Sequence, residues 1–505
     1  MRHRPTHALS GALTDANVLG PALLFLSSMM FNSTALLVVG LFWASGEAAW
    51  LLLTRLVLRL SRFSFVAMVG ASTTATFLGG ALPVQIEVLL HGHHVTGPSD
   101  HRYIFNTDAE LTAAVALYLT AFRYVCGILA FWDGPRWHRV LGDLATDMVR
   151  PDRATLGLSL FIIAATAALF AGLIGTGLIA VNAAYVTGTG EDAQTPIWLS
   201  LLFTSIPTLT MAAVVVIASA RGAPASRLIT IAALVIVLVF AFAFGRRTLL
   251  FTLLLAVAIW FWLRPIAIRP HLMLVGAICG APLLLATSAF FQAARLAQGD
   301  VAIAMNNPSL HDVLLSDAFQ ARLPQAFGQT WSDLASRAYS ISFFVDIFER
   351  FPPQQALMGE LFAFSGPLRA IPSLLWPEKI RILADYGAPE LPVQRMLILY
   401  ETDQAMPMAV IGYVDWWIFG AVIAPLIVLA ISMAFVTLAL WSRHLIAKSA
   451  AISSSIVMAW NAEFEFAAAF VYLRFAAIAY LAFAVADALA AKRTVSHTSR
   501  SPFRS

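Results

Sequence analysis

The sequence predicts an all-α polytopic integral membrane protein, with about ten to twelve transmembrane helices and one large extracytoplasmic loop before the C-terminal helices. Three observations carry this. The 505 residues are 59% hydrophobic and only 12% charged, with a mean hydropathy of +0.78; a soluble globular chain is about 25% charged. The apolar residues gather into runs close to the ~20 residues that cross a bilayer. A single polar stretch over residues 291–408 interrupts them, far longer than an ordinary connection.

In chain order, spans are expected at about 18–33, 35–54, 63–83, 111–132, 154–180, 197–220, 228–244, 248–264 and 271–290, then at 409–438, 449–466 and 470–489. The first two could join as one longer helix, and the last two could be one helix and a re-entrant piece. The chain therefore divides into an N-terminal membrane domain (1–290), a large loop (291–408), C-terminal membrane helices (409–489) and a tail (490–505). Cations orient it. Arg55, Arg59, Arg62, Arg136, Arg139, Arg443, Lys448, Lys492 and Arg493 all fall on the side assigned to the cytoplasm, with both termini. Short outer connections keep only Arg102, Arg246, Arg247 and Arg474, and the large loop lies outside. The N-terminus is basic and then polar, and the first apolar run reads as an anchor helix.

Several functions are set aside by composition. The formal charge of +4 is spread over helix ends, so no nucleic-acid partner is expected. Cys126 and Cys279 both sit inside apolar runs and read as packing residues. His91, His93, His94 and His101 lack a carboxylate second shell and read as a polar loop. With no CxxC, HExxH or P-loop pattern, neither a metal nor a cofactor is expected.

The chemistry-bearing residues concentrate in residues 359–381, GELFAFSGPLRAIPSLLWPEKIR. Pro367, Pro372 and Pro377 bar a regular helix and stiffen the backbone. That backbone carries Arg369, Lys379 and Arg381, with Arg337 earlier in the loop, as cations for an anionic substrate, and Trp376 as a stacking surface for a sugar. Arg246 and Arg247 occupy a tight outer turn against the topological trend. Their planar guanidinium forks match phosphate oxygens, although an ordinary headgroup anchor has the same composition. Arg123 lies mid-span and must face a polar interior, with Glu47 as its partner; a polar site and a helix-fixing ion pair are equal readings. For a base that accepts a hydroxyl proton, His311, Glu360, Asp403 and Asp415 are the principal candidates, beside Asp346 and Glu401. Geometry decides among such groups.

Several of these features, in this order, resemble bacterial O-antigen and exopolysaccharide polymerases of the Wzy type. They are GRRTLL (245–250) opening a span, the long outer loop with G-x(11)-IP-x(2)-LWP-x-K from Gly359 to Lys379, and ETDQAMPMAVIGYVDWWIFG (401–420) leading into the next helix. Two positions depart from the family pattern. Ser373 stands after Ile371-Pro372 where an Arg is common, and Tyr413 follows Gly412 where an acid is common, with Asp415 two positions on.

The resemblance implies transfer of a growing glycan from undecaprenyl diphosphate to a lipid-linked oligosaccharide repeat unit, at the periplasmic face of a bacterial inner membrane. The partners implied are that lipid-linked oligosaccharide, membrane lipid and a protein that regulates chain length. Outer-face arginines would neutralise the departing diphosphate. An O-antigen ligase or another lipid-carrier-dependent glycosyltransferase shares this layout. A lipid-linked oligosaccharide flippase is the alternative outside enzymes, and the long loop weighs against it.

Overall fold

The computed structural model describes residues 16–52, 62–92, 108–149, 153–175, 310–337, 340–351, 407–460 and 466–498, with scattered positions at 54–55, 209–217, 286–301 and 354–378. Among these residues there are helices and turns and no strand. Inside a bilayer the backbone must satisfy its own hydrogen bonds, and helices do so within one segment.

The N-terminal part begins with α1 (Ala16–Phe31) and α2 (Thr34–Leu52). They are two helices, not one: Asn32 takes a left-handed φ of 46°, and the Ser28 hydroxyl donates to the Ser33 carbonyl at 2.9 Å. The pair packs closely because glycine opens the interface. A Cβ on Gly40 would lie 2.6 Å from the Phe25 ring, and one on Gly20 equally close to Trp43. Next, α3 (Phe65–His91) starts at Ser64, whose hydroxyl accepts from Ala67 N, and ends at Gly92 with φ 74°. Such a left-handed end suits glycine.

α4 (Ala109–Val149) is 41 residues long, or about 60 Å at the α-helical rise. The apolar run expected at 111–132 covers only its first half. The helix carries on through Pro135, Arg136 and Arg139, a stretch whose polarity reads as a connection. α5 (Arg153–Gly175) follows.

From the long loop come α6 (Leu310–Leu314), α7 (Asp317–Arg337), α8 (Ser340–Arg350), α9 (Glu360–Ser365) and α10 (Pro367–Ala370). The C-terminal part is α11 (Met408–Trp416), a 3-10 turn over Trp417–Phe419, α12 (Gly420–Trp441), α13 (Leu445–Trp460) and α14 (Phe466–Thr498). Arg474, expected in a short outer connection, lies inside α14.

Among the described residues, four stretches are long and apolar enough to cross a membrane: Thr34–Leu52, Phe65–His91, Ala109–Asp147 and Met408–Trp441. Large apolar side chains face outward from them, among them Phe42, Trp50, Trp132, Leu426 and Trp441. In water such surface would be costly; against lipid it is the ordinary exterior of a membrane protein.

The bundle centres on α3, α4 and α12, flanked by α1 and α2 on one side and α13 on another. Gly70 of α3 lies against Cys126 of α4, where a Cβ would come within 2.8 Å. One end of the bundle is tied by a buried network. Asp133 accepts from Ser64 Oγ (2.8 Å), Val66 N (3.0 Å) and the Ser432 hydroxyl, and Ser432 accepts from Trp137 Nε1 (2.9 Å). This joins α3, α4 and α12 through groups that are each satisfied, the condition under which buried polar atoms add specificity. Arg62, Arg136, Arg139 and Arg443 are exposed toward the same end, and Lys448 pairs with Asp147 there. The opposite end carries the residues considered next.

Candidate functional site

The apolar run expected as one span over 409–438 is broken. Gly412 and Gly420 would stand ~12 Å apart in a continuous helix. Instead their backbones cross, and a Cβ on Gly420 would fall 2.0 Å from the Gly412 carbonyl oxygen. The chain turns through Trp417, at φ 52°, so that α11 and α12 form a sharp corner. Hydropathy is blind to this corner because Trp416-Trp417-Ile418-Phe419 is as apolar as the helices it separates.

Two parts of the long loop are docked against this corner. α8 enters first. Phe344 packs edge-to-face on Tyr118 (5.6 Å) and lies 5.8 Å from Tyr413, while Phe348 stacks on Tyr413 at 4.8 Å. The Tyr118 hydroxyl donates to the Ala409 carbonyl at 3.0 Å. These contacts join α4, α8 and α11 in one aromatic cluster.

The proline-rich segment docks second. Leu357 N donates to the Val414 carbonyl (3.1 Å) and Met358 N to the Asp415 carbonyl (2.8 Å). Met358 and Gly359 then both take positive φ, 50° and 93°, and turn the chain into α9. Gly359 sits against Trp416, whose ring would lie 3.3 Å from a Cβ. The Asp415 carboxylate, fully buried, completes the clamp. Its two oxygens accept from Leu361 N (3.0 Å) and Phe362 N (2.7 Å), the open amides of the first turn of α9. Phe362 projects between Trp416 (6.0 Å), Phe466 (4.9 Å) and Phe470 (5.9 Å).

The structure thus brings together Glu360, Asp415 and the backbone of Arg369. Glu360 is exposed in the first turn of α9, Trp376 is half-buried beyond α10, and Arg369 lies within α10. Asp415, weighed as a base, has both oxygens engaged by main-chain amides and holds the segment in place. His311 lies in α6 and Arg337 ends α7, and neither is shown beside the segment. Arg246, Arg247, Lys379, Arg381 and Asp403 lie outside the described residues.

Arg123 belongs elsewhere. Its guanidinium pairs with Glu47 and reaches the Ala44 carbonyl at 3.4 Å, a buried ion pair between α2 and α4. Of the two roles offered by the sequence, this geometry is that of helix fixing. Another loop carboxylate, Asp346 of α8, is 9% exposed. Burial pushes its pKa up to about 6, with Arg350 drawing it down and Glu349 adding to the rise. Away from the corner, half-buried Arg322 holds Asp300 by two hydrogen bonds (2.8 and 3.1 Å), which lower the pKa of that carboxyl. Among the described residues no group of three or more His, Cys, Asp or Glu is placed to hold a metal ion.

Sequence reasoning missed the Asp133 network, because its partners stand 67 to 299 residues apart. The clamp by Asp415 was hidden for the same reason. The one available signal was the paired motif order, Gly359 in one and Asp415 in the other. No family model matches the chain, and neither a curated protein nor a solved structure is significantly similar to it.

Proposed function

We propose that the protein is a membrane glycosyltransferase that polymerises lipid-linked oligosaccharide repeat units outside the bacterial inner membrane. One observation carries this reading. The two motifs behind the family resemblance, 359–381 and 401–420, are distant in sequence yet hydrogen-bonded through Leu361 and Phe362 to Asp415, and Leu357 and Met358, just ahead of the first motif, bond to Val414 and Asp415. A working site assembled from both motifs requires such a contact.

In this reading the acceptor hydroxyl oxygen attacks the anomeric carbon of the growing glycan. The bond from that carbon to the diphosphate oxygen breaks, and undecaprenyl diphosphate leaves with the electron pair. The hydroxyl proton passes to a carboxylate; Glu360, exposed beside the clamp, is the described group best placed to take it. Arg246, Arg247, Arg369, Lys379 and Arg381 neutralise the charge that develops on the diphosphate, and Trp376 supports a sugar ring. Asp415 positions the segment. Arg62, Arg136, Arg139 and Arg443, exposed on or beside the long helices, gather at the end away from the segment, in keeping with that end being cytoplasmic.

The test is elongation by the purified protein in detergent, where no compartments exist. Lipid-linked oligosaccharide should be converted to longer chains, and Arg247→Ala or Arg369→Ala should abolish them while the protein still reaches the membrane. No elongation in detergent, with translocation across vesicles instead, would make it a transporter. A deletion strain separates the enzymes: loss of a polymerase leaves single repeat units, and loss of a ligase leaves long polymer on its carrier.

A further inference from the structure

We propose that Ser449, Ser453 and Ser454 of α13 hold ordered water inside the bundle, in a polar seam that opens at the Lys448–Asp147 end. The inference does not rest on the polymerase reading. The three residues are 1%, 3% and 2% exposed, and none of their hydroxyl oxygens has a hydrogen-bond partner among the described residues. Elsewhere in the bundle, buried hydroxyls donate to a carbonyl of the preceding turn: Ser45 to Leu41 (2.6 Å), Thr74 to Gly70 (2.8 Å) and Thr120 to Ala116 (2.7 Å). Ser455, the next residue of α13, does the same to Ile452 (2.7 Å). Ser449, Ser453 and Ser454 make no such bond, so their hydrogen-bonding capacity is not spent on their own helix.

The surroundings decide the ligand. Residues 449–459 are buried without a break, and α13 packs against α3, α4, α12 and α14. An unpaired hydroxyl is costly in such a place. Water answers it, because it both donates and accepts and fits between small groups. Ser449 and Ser453 stand one turn apart on one face, with Ser454 beside them. Together they supply the two to four polar partners that an internal water takes. Ala447, Ala450 and Ala451 keep the neighbouring positions of α13 small. The charges next along the chain, Lys448 and its partner Asp147, neutralise each other, so nothing there favours an ion over a neutral ligand. Ser449 follows Lys448 directly and Asp147 is exposed, so the seam begins at an aqueous end. Ile456, Val457 and Met458, all buried, close it further along. Water held there gives α13 hydrogen bonds that its short serine side chains do not make directly.

Radiolytic footprinting of the full chain in nanodiscs tests this. A short X-ray pulse makes hydroxyl radicals from water wherever it lies, and a methionine sulfur beside that water is oxidised to the sulfoxide. Met458 stands one turn beyond Ser454 and is 1% exposed. Its sulfur should be oxidised in the wild type in spite of that burial. Ser449→Ala, Ser453→Ala and Ser454→Ala together should slow this oxidation by about fivefold or more, because the water loses its partners. Oxidation of Met358, which is 83% exposed, should stay the same. If the triple variant does not fold, Ser453→Ala alone carries the same comparison. A wild-type Met458 that escapes oxidation would show the hydroxyls turned back onto the carbonyls of α13, and would overturn the proposal. Equal oxidation of Met458 with and without the hydroxyls would overturn it too, since water would then arrive there unheld.

Discussion

At the scale of single residues, Asp415 and Asp346 show how differently two buried carboxylates are used. Asp415 meets the amides of Leu361 and Phe362. Asp415→Ala leaves one buried and one part-buried donor without this acceptor, at a cost of roughly 1–3 kcal/mol to the docking of α9. Hydrogen exchange at Leu361 and Phe362 should quicken at least tenfold, with a smaller change for Asp415→Asn, which keeps one acceptor oxygen. Unchanged protection would mean that something else holds the segment. Among the described residues Asp346 has no comparable set of donors, and burial raises its pKa to about 6. Below the ordinary carboxyl pKa of about 3.9 both folded and unfolded chains hold the proton. As pH rises from there through 6 the unfolded chain releases it first, so this group's contribution to stability falls with pH. Asp346→Asn should therefore raise the thermal midpoint above pH 7 and leave it unchanged below pH 4. Neither role was legible in the sequence, where both are acids near apolar residues. The Glu47–Arg123 pair was legible, because two charges inside apolar helices have few other means of being satisfied.

At the scale of elements, helix identity was written in the apolar periodicity and helix ends were not. α4 outruns its apolar run because Arg136 and Arg139 are good helix formers and Trp137, Val140, Leu141 and Leu144 stay buried along the extension. The corner at 417–419 is invisible to composition, and its cause lies in two glycines. Gly420→Ala places a methyl group into the Gly412 carbonyl, and Gly412→Ala places one 2.8 Å from the Ala424 Cβ. Each should separate α11 from α12 and lower the thermal midpoint, Gly420→Ala more steeply, by the ~1–3 kcal/mol or more typical of overpacking. Gly46→Ala, with no neighbour within 4 Å, should be tolerated. Equal midpoints for Gly420→Ala and Gly46→Ala would show that the crossing does not govern the corner.

At the scale of the whole molecule, the bundle has two unlike ends. One carries the Asp133 network, the Lys448–Asp147 pair and exposed arginines; the other carries α8, α9 and the corner. Met358 is 83% exposed at the second end. In intact cells opened only to the periplasm, an impermeant thiol reagent should label Met358→Cys and spare Arg443→Cys until the membrane is broken. The reverse pattern would put the proline segment in the cytosol, where a lipid diphosphate outside the membrane could not reach it. Composition foretold that such a polarity exists, since cations divide unevenly along the chain. Which residues share an end depended on contacts across hundreds of positions, which no local pattern encodes.

The clamp has a consequence for biosynthesis. Residues 357–370 are held chiefly by 414–416 and by α14, both made after them. A nascent chain that has just released its long loop therefore has nothing to seat that segment on. Only when ribosomal synthesis has passed Phe470 can α9 come to rest, so the protein becomes competent late, when nearly all of its helices are already in the bilayer.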